Sequence, residues 1–194
     1  MKTRKIITGI AAFLLTLSVT LTSLPTAVHA AAILDVPITP TATDCSLLGV
    51  YGSYFSQAQM ALDKVNAIRK DACESGNVPD PRDESRMLTP EDYTPLKWSR
   101  DLESVAKIRA VEAGIAYAFM DSGHDRLNNE NTMSIQYNGI ASSSENLSYY
   151  YQADMIEGIR LWAMEKPDWV AQNLEKTTGH YTSLINPNFK YIGL

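Results

Sequence analysis

Three histidines occur in the 194-residue chain: His29, His124 and His180. Imidazole changes charge near neutral pH and is the commonest metal ligand, so chemistry is sought at these positions first. His29 falls within an N-terminal leader, which leaves two. His180 stands in Thr178-Gly179-His180-Tyr181-Thr182, continued by Ser183-Leu184-Ile185 and broken by Asn186-Pro187. The alternation predicts a strand, with Tyr181, Ser183 and Ile185 on one face and His180, Thr182 and Leu184 on the other. Gly179 frees the backbone just before the imidazole. His124 stands in Gly123-His124-Asp125-Arg126, at the start of a stretch rich in Asn, Ser and Gly. Taken singly, each histidine reads as a hydrogen-bonded surface or core residue.

The leader spans residues 1–30. Lys2, Arg4 and Lys5 open it, Ile6 to Leu24 form an apolar run, and Val28-His29-Ala30 supplies a small-residue cleavage site. The run reaches membrane-spanning length, but its Ser and Thr content and its ending favour a signal peptide over an anchor. Cleavage removes three of 17 basic residues and none of the 22 acidic ones, leaving 14 against 22 and a net charge of −8. An acidic chain without a basic cluster argues against nucleic acid or an anionic membrane as partner. The expected mature protein is secreted, with no stable membrane insertion. Its length suits one domain. An oxidising compartment allows Cys45 and Cys73 to pair, closing a loop worth roughly 3–4 kcal/mol in the chain-entropy estimate. Two free thiols stay open as the other reading, since spacing fixes no distance.

Residues 31–55 form an extended lead-in with Pro37 and Pro40. Ser56 with Gln59 has capping-box spacing and opens a helix to about Ala72. Ala61, Leu62, Val65, Ile68 and Ala72 make its apolar stripe, with Asp63, Lys64, Arg69 and Lys70 on the wet side. Gly76 to Pro95 reads as a charged, proline-rich loop. Ser99 caps a second helix, whose broad apolar face suits a central, buried element. A short strand is expected at Met133–Tyr137, and a third helix near Asp154, limited by Pro167. Trp98, Trp162 and Trp169 are expected in the core, and Tyr149, Tyr150 and Tyr151 in partly buried packing. Phe189 to Leu194 begins another strand and stops, which suggests a fragment of a longer protein.

Four pieces in order resemble the CAP superfamily, the cysteine-rich secretory, antigen 5 and pathogenesis-related 1 proteins. They are Gly123-His124-Asp125-Arg126, Ser144-Glu145-Asn146-Leu147, Trp162-Ala163-Met164-Glu165, and Thr178-Gly179-His180-Tyr181-Thr182 running on to Tyr191-Ile192-Gly193-Leu194. In flavour the chain is most similar to bacterial secreted members. The resemblance covers about Ala61 to the end. It implies an α+β fold, a three-layer α-β-α sandwich over residues 56–194, incomplete where the final strands are truncated. It also implies a cleft lined by His124, Glu145, Glu165 and His180. Ser144 stands where the family often has Gly.

Two imidazoles and two carboxylates on one pocket are a reasonable set of donors for a divalent cation such as zinc. Ligand duty falls first to His124 and His180, with Glu145 and Glu165 orienting them or a bound water. A metal-free cluster of ion pairs that ties loop, helix and strand together is an equal reading. No His-Glu-x-x-His helix and no Gly-x-Ser-x-Gly elbow occurs, and no catalytic residue is assigned. Ser142, Ser143 and Ser144 leave a Ser-His-Glu arrangement open beside the plainer reading of turn serines. The favoured function is an extracellular binding or interaction protein, its partner unnamed, with a small apolar ligand such as a lipid or sterol implied by relatives. The rival is a metal-assisted peptidase with Glu145 or Glu165 as general base.

Overall fold

The computed structural model describes residues 57–119, 123–126, 130–149, 154–173 and 175–194. The expected leader, the lead-in, Cys45, Ser56, Tyr150 and Tyr151 lie outside them. In order come α1 (Ala58–Glu74), β1 (Pro79–Asp80), β2 (Asp83–Met87), β3 (Lys97–Trp98), α2 (Arg100–Phe119), β4 (Gln136–Tyr137) and β5 (Ile140–Ala141). Then follow α3 (Met155–Ala163), α4 (Lys166–Val170), α5 (Gly179–Ile185) and β6 (Tyr191–Ile192). Short 3₁₀ turns stand at Pro90–Asp92 and Thr132–Ser134. The strands pair two by two: β1 with β2 and β4 with β5 antiparallel, β3 with β6 parallel. The fold is therefore α+β. Among the described residues the strands are short and form no single broad sheet.

Helix α1 organises the core. It buries Ala61, Val65, Arg69, Ala72 and Cys73, which meet Ile159 and Trp162 of α3, Trp169 of α4, and Tyr181, Leu184 and Ile185 of α5. Arg69 was expected on the wet side, yet it is only 2% exposed. Four residues after Val65, it falls on the apolar stripe and turns its guanidinium to main-chain carbonyls. Its Nε donates to Thr94, one terminal nitrogen to Leu184 (2.7 Å) and Asn186 (3.0 Å), and the other to Phe189. Burial lowers its pKa, although the cation is solvated by these oxygens. Two of the carbonyls belong to the C-terminal end of α5, where a cation is favoured. Cys73 is buried and unpaired among the described residues, and burial raises its thiol pKa; the expected pairing with Cys45 lies outside them.

Strand β6 docks beside β3, with Lys97 donating to the Lys190 carbonyl and Ser99 to that of Ile192. Gly193 follows. A Cβ there would lie 2.0 Å from the Glu103 backbone nitrogen, so this close approach to the first turn of α2 admits only glycine. Ser99 does cap α2, its hydroxyl accepting from Leu102. That helix is less central than expected: its buried positions are Val105, Arg109, Ala113 and Ala116, outside the main apolar cluster.

The segment expected to be a loop, 76–95, carries the β1–β2 ribbon. Every β2 residue is exposed and most are polar, so no apolar alternation announces the strand. An ion cluster fastens the ribbon instead. The buried Asp80 carboxylate meets Arg82 and Arg86, and both arginines also reach Asp92. Burial opposes the charge on Asp80, but hydrogen bonds from Arg82 and then Arg86 outweigh it and lower its pKa. Asp92 is likewise held well below the usual carboxylate range, against burial, by bonds from Arg86, the Thr89 backbone and Arg82.

Two outcomes follow from these contacts. Arg69→Met takes the guanidinium from the Thr94, Leu184 and Phe189 carbonyls, while that of Asn186 keeps the Phe189 N–H. It should lower the urea-unfolding free energy by ~3 kcal/mol or more, since each buried unsatisfied group costs ~1–3 kcal/mol. Asp80 and Asp92 have folded pKa values below their unfolded ones. Their contribution is therefore present above about pH 4 and is lost as pH falls through the depressed values. Urea midpoints measured from pH 7 to pH 2 should drop below pH 4, and Arg82→Ala should flatten that drop.

Candidate functional site

Glu165 owes its position to Pro167. A proline two residues on has no N–H for the Ala163 carbonyl, so the helix that began at Asp154 breaks and restarts as α4. Asp154 caps α3 as expected, accepting from Ile156 and Glu157. Pro167 thus ends one helix and sits in the first turn of the next. At the corner, Glu165 Oε1 lies 2.6 Å from His180 Nδ1, and its Oε2 accepts the Tyr181 backbone N–H at 3.0 Å.

His180 itself lies on a helix and not on the expected strand. Tyr181, Leu184 and Ile185 are the buried residues, at the i, i+3, i+4 spacing of a helical face. Thr182 donates its backbone N–H to the Thr178 carbonyl, and its hydroxyl to that of Gly179. Pro187 keeps Asn186 out of the helical region and ends the turn. The His180 ring lies nearly parallel to that of Trp162, with centroids 6.4 Å apart. The Tyr181 hydroxyl is buried without a hydrogen-bond partner among the described residues, and burial raises its pKa strongly.

The second pair joins His124 to Glu145, with Nδ1 to Oε1 at 2.9 Å. Glu145 is also gripped by Arg109 of α2, Nε to Oε2 at 2.7 Å and a terminal nitrogen to Oε1 at 3.0 Å. Arg109 is 3% exposed, and nothing in the sequence reading marked it. Its place on the Val105, Ala113, Ala116 stripe was the available signal. Tyr149 accepts a bond from the Gly123 backbone and stacks on Tyr117 at 4.6 Å, so it lies closer to the site than a packing residue of the core.

The segment 144–147 links the two pairs. Asn146 donates its side-chain amide to the His180 carbonyl at 3.0 Å, and Trp162 donates its indole N–H to the Leu147 carbonyl at 3.0 Å. The Ser144 and Ser183 hydroxyls are bonded to each other. Among the described residues no serine hydroxyl reaches a histidine nitrogen, so the Ser-His-Glu arrangement is not assembled.

In each pair one imidazole is held through Nδ1 by a carboxylate whose other oxygen is already bonded. When the ring is neutral and Nδ1 donates, Nε2 carries the free lone pair. The class so defined is an α+β protein with paired His/Glu groups on linked loop and helix elements. The family model for the cysteine-rich secretory protein family, CAP, matches residues 62–194, and the chain belongs to that family. No curated protein and no solved structure matches the chain. Membership suggests an extracellular interaction or binding protein at the level of the family. No described helix is long and apolar enough to cross a membrane.

Glu165→Ala strands both His180 Nδ1 and the Tyr181 N–H. Urea unfolding should show a loss of ~1–3 kcal/mol, and Glu165→Gln, which still accepts one bond, a smaller loss.

Proposed function

We propose that the protein is a secreted, extracellular binding module of the bacterial CAP type, and that it meets its ligand through the Nε2 edges of His124 and His180. The observation that carries this reading is the engagement of both carboxylates. Glu145 is forked by Arg109, and Glu165 is divided between His180 and the Tyr181 backbone. Carboxylates so occupied orient imidazoles well and make poor general bases, which favours binding over the peptidase reading. The three-layer α-β-α arrangement of the family is part of the same proposal.

The ligand that suits two imidazole nitrogens is a divalent cation of the zinc class. Among the described residues no cluster of three or more His, Cys, Asp or Glu side chains could hold a metal ion. A bound cation would therefore rest on the two imidazoles and water, more open than a four-ligand structural site. A small apolar ligand is a second reading. It is favoured by a groove of about 540 Å³ between the start of α1 and Trp98, lined by Met60 and Leu62.

Calorimetric titration with zinc chloride tests the first reading. Wild type should take up one ion, and His124→Ala or His180→Ala should each weaken uptake at least ~10-fold. Heat unchanged by both substitutions would remove His124 and His180 as ligands.

A further inference from the structure

We infer that Arg109 is the positioning residue that sets the His124 ring, acting through Glu145. His124 is about half exposed, its side chain 53% accessible, and it precedes Asp125, which makes an isolated bridge to Asn131. Two side chains of its loop are tied to a charged frame on α2. His124 bonds to Glu145, and Glu145 to Arg109. A terminal nitrogen of Arg109 also donates to Glu112 at 3.1 Å. Glu112 in turn accepts from Arg126, with the shortest contact 2.7 Å. The ladder Glu145–Arg109–Glu112 is thus gripped at both ends by residues two apart on one loop.

The geometry decides what each member does. A guanidinium presents its donors in a fixed plane, so a side-on fork fixes the orientation of the carboxylate and not only its position. Glu145 Oε1, held by one prong, is the oxygen that faces His124 Nδ1. Rotation of that carboxylate would break two bonds to a buried cation. Its orientation therefore dictates the tautomer of neutral His124: Nδ1 carries the proton and Nε2 is left for a ligand. Arg109 is only 3% exposed; its contact with the His124 ring runs through Glu145, and Glu112 with Arg126 ties it to the loop two residues on.

The test is a ring-nitrogen NMR correlation on ¹⁵N-labelled protein at pH 8, for wild type, Arg109→Gln and Arg109→Lys. In wild type His124 should show a protonated Nδ1 and an unprotonated Nε2. In Arg109→Gln the fork is gone, and the His124 shifts should move toward the mixed-tautomer values of a solvated imidazole. Arg109→Lys keeps the charge without the fork. It should remain folded by circular dichroism and show the same change in part, and it decides the matter where Arg109→Gln fails to fold. Wild-type His124 protonated at Nε2, or a folded variant with unchanged His124 shifts, would overturn the inference. A zinc arm rests on the proposed function: in Arg109→Lys, affinity should fall ~10–100-fold. Absence of zinc binding in wild type sinks that function and leaves the tautomer result to judge Arg109 alone.

Discussion

Four consecutive residues, Ser144 to Leu147, bind five different partners, and the site exists only because they do. Ser144 meets Ser183, Glu145 meets Arg109 and His124, Asn146 meets the His180 carbonyl, and the Leu147 carbonyl takes the Trp162 indole. The stretch is itself neither strand nor helix. It is fixed from outside, by α2 through the Glu145 side chain, by α5 through the Ser144 and Asn146 side chains, and by α3 through the Leu147 carbonyl. A segment of this kind is stiff only while its neighbours are in place, which makes the two His/Glu pairs depend on the packing of three helices.

That packing has its own anchor. Arg69 on α1 donates to carbonyls at the end of α5 and in the turn beyond, and so fixes where the His180 helix stops. The carbonyls compensate for a buried cation that has no carboxylate beside it among the described residues. Glycine at position 193 lets β6 press against the start of α2. Together these contacts relate the helix that carries His180 to the helix that carries Arg109. Backbone-directed bonds over long sequence separations thus place the elements whose side chains make the two His/Glu pairs.

Much of the site was legible in the sequence, and the pairing of elements less so. The motifs around His124, Glu145, Glu165 and His180 carried a family resemblance that the family model supports, and the two His/Glu contacts follow those positions. The period of the His180 segment was misjudged because Tyr181-Thr182-Ser183-Leu184-Ile185 satisfies both an alternating and a helical pattern; burial of Leu184 beside Ile185 is compatible only with the helix. Arg69 and Arg109 escaped notice for one shared reason. A charged residue within a helical stripe is ordinarily assigned to solvent, and only the partner's coordinates show that carbonyls or a carboxylate wait on the buried face. The β1–β2 ribbon was hidden because charge pairs, rather than apolar alternation, hold it.

The central claim is that both His/Glu pairs belong to one coupled unit through Ser144–Leu147. Asn146 sits between them, covalently next to Glu145 and hydrogen-bonded to His180. The direct measurement is the ring resonances of both histidines in Asn146→Ala against wild type. The account predicts that the signals of His124 and His180 shift together. Movement of His180 with His124 unchanged would show two independent pairs and contradict it.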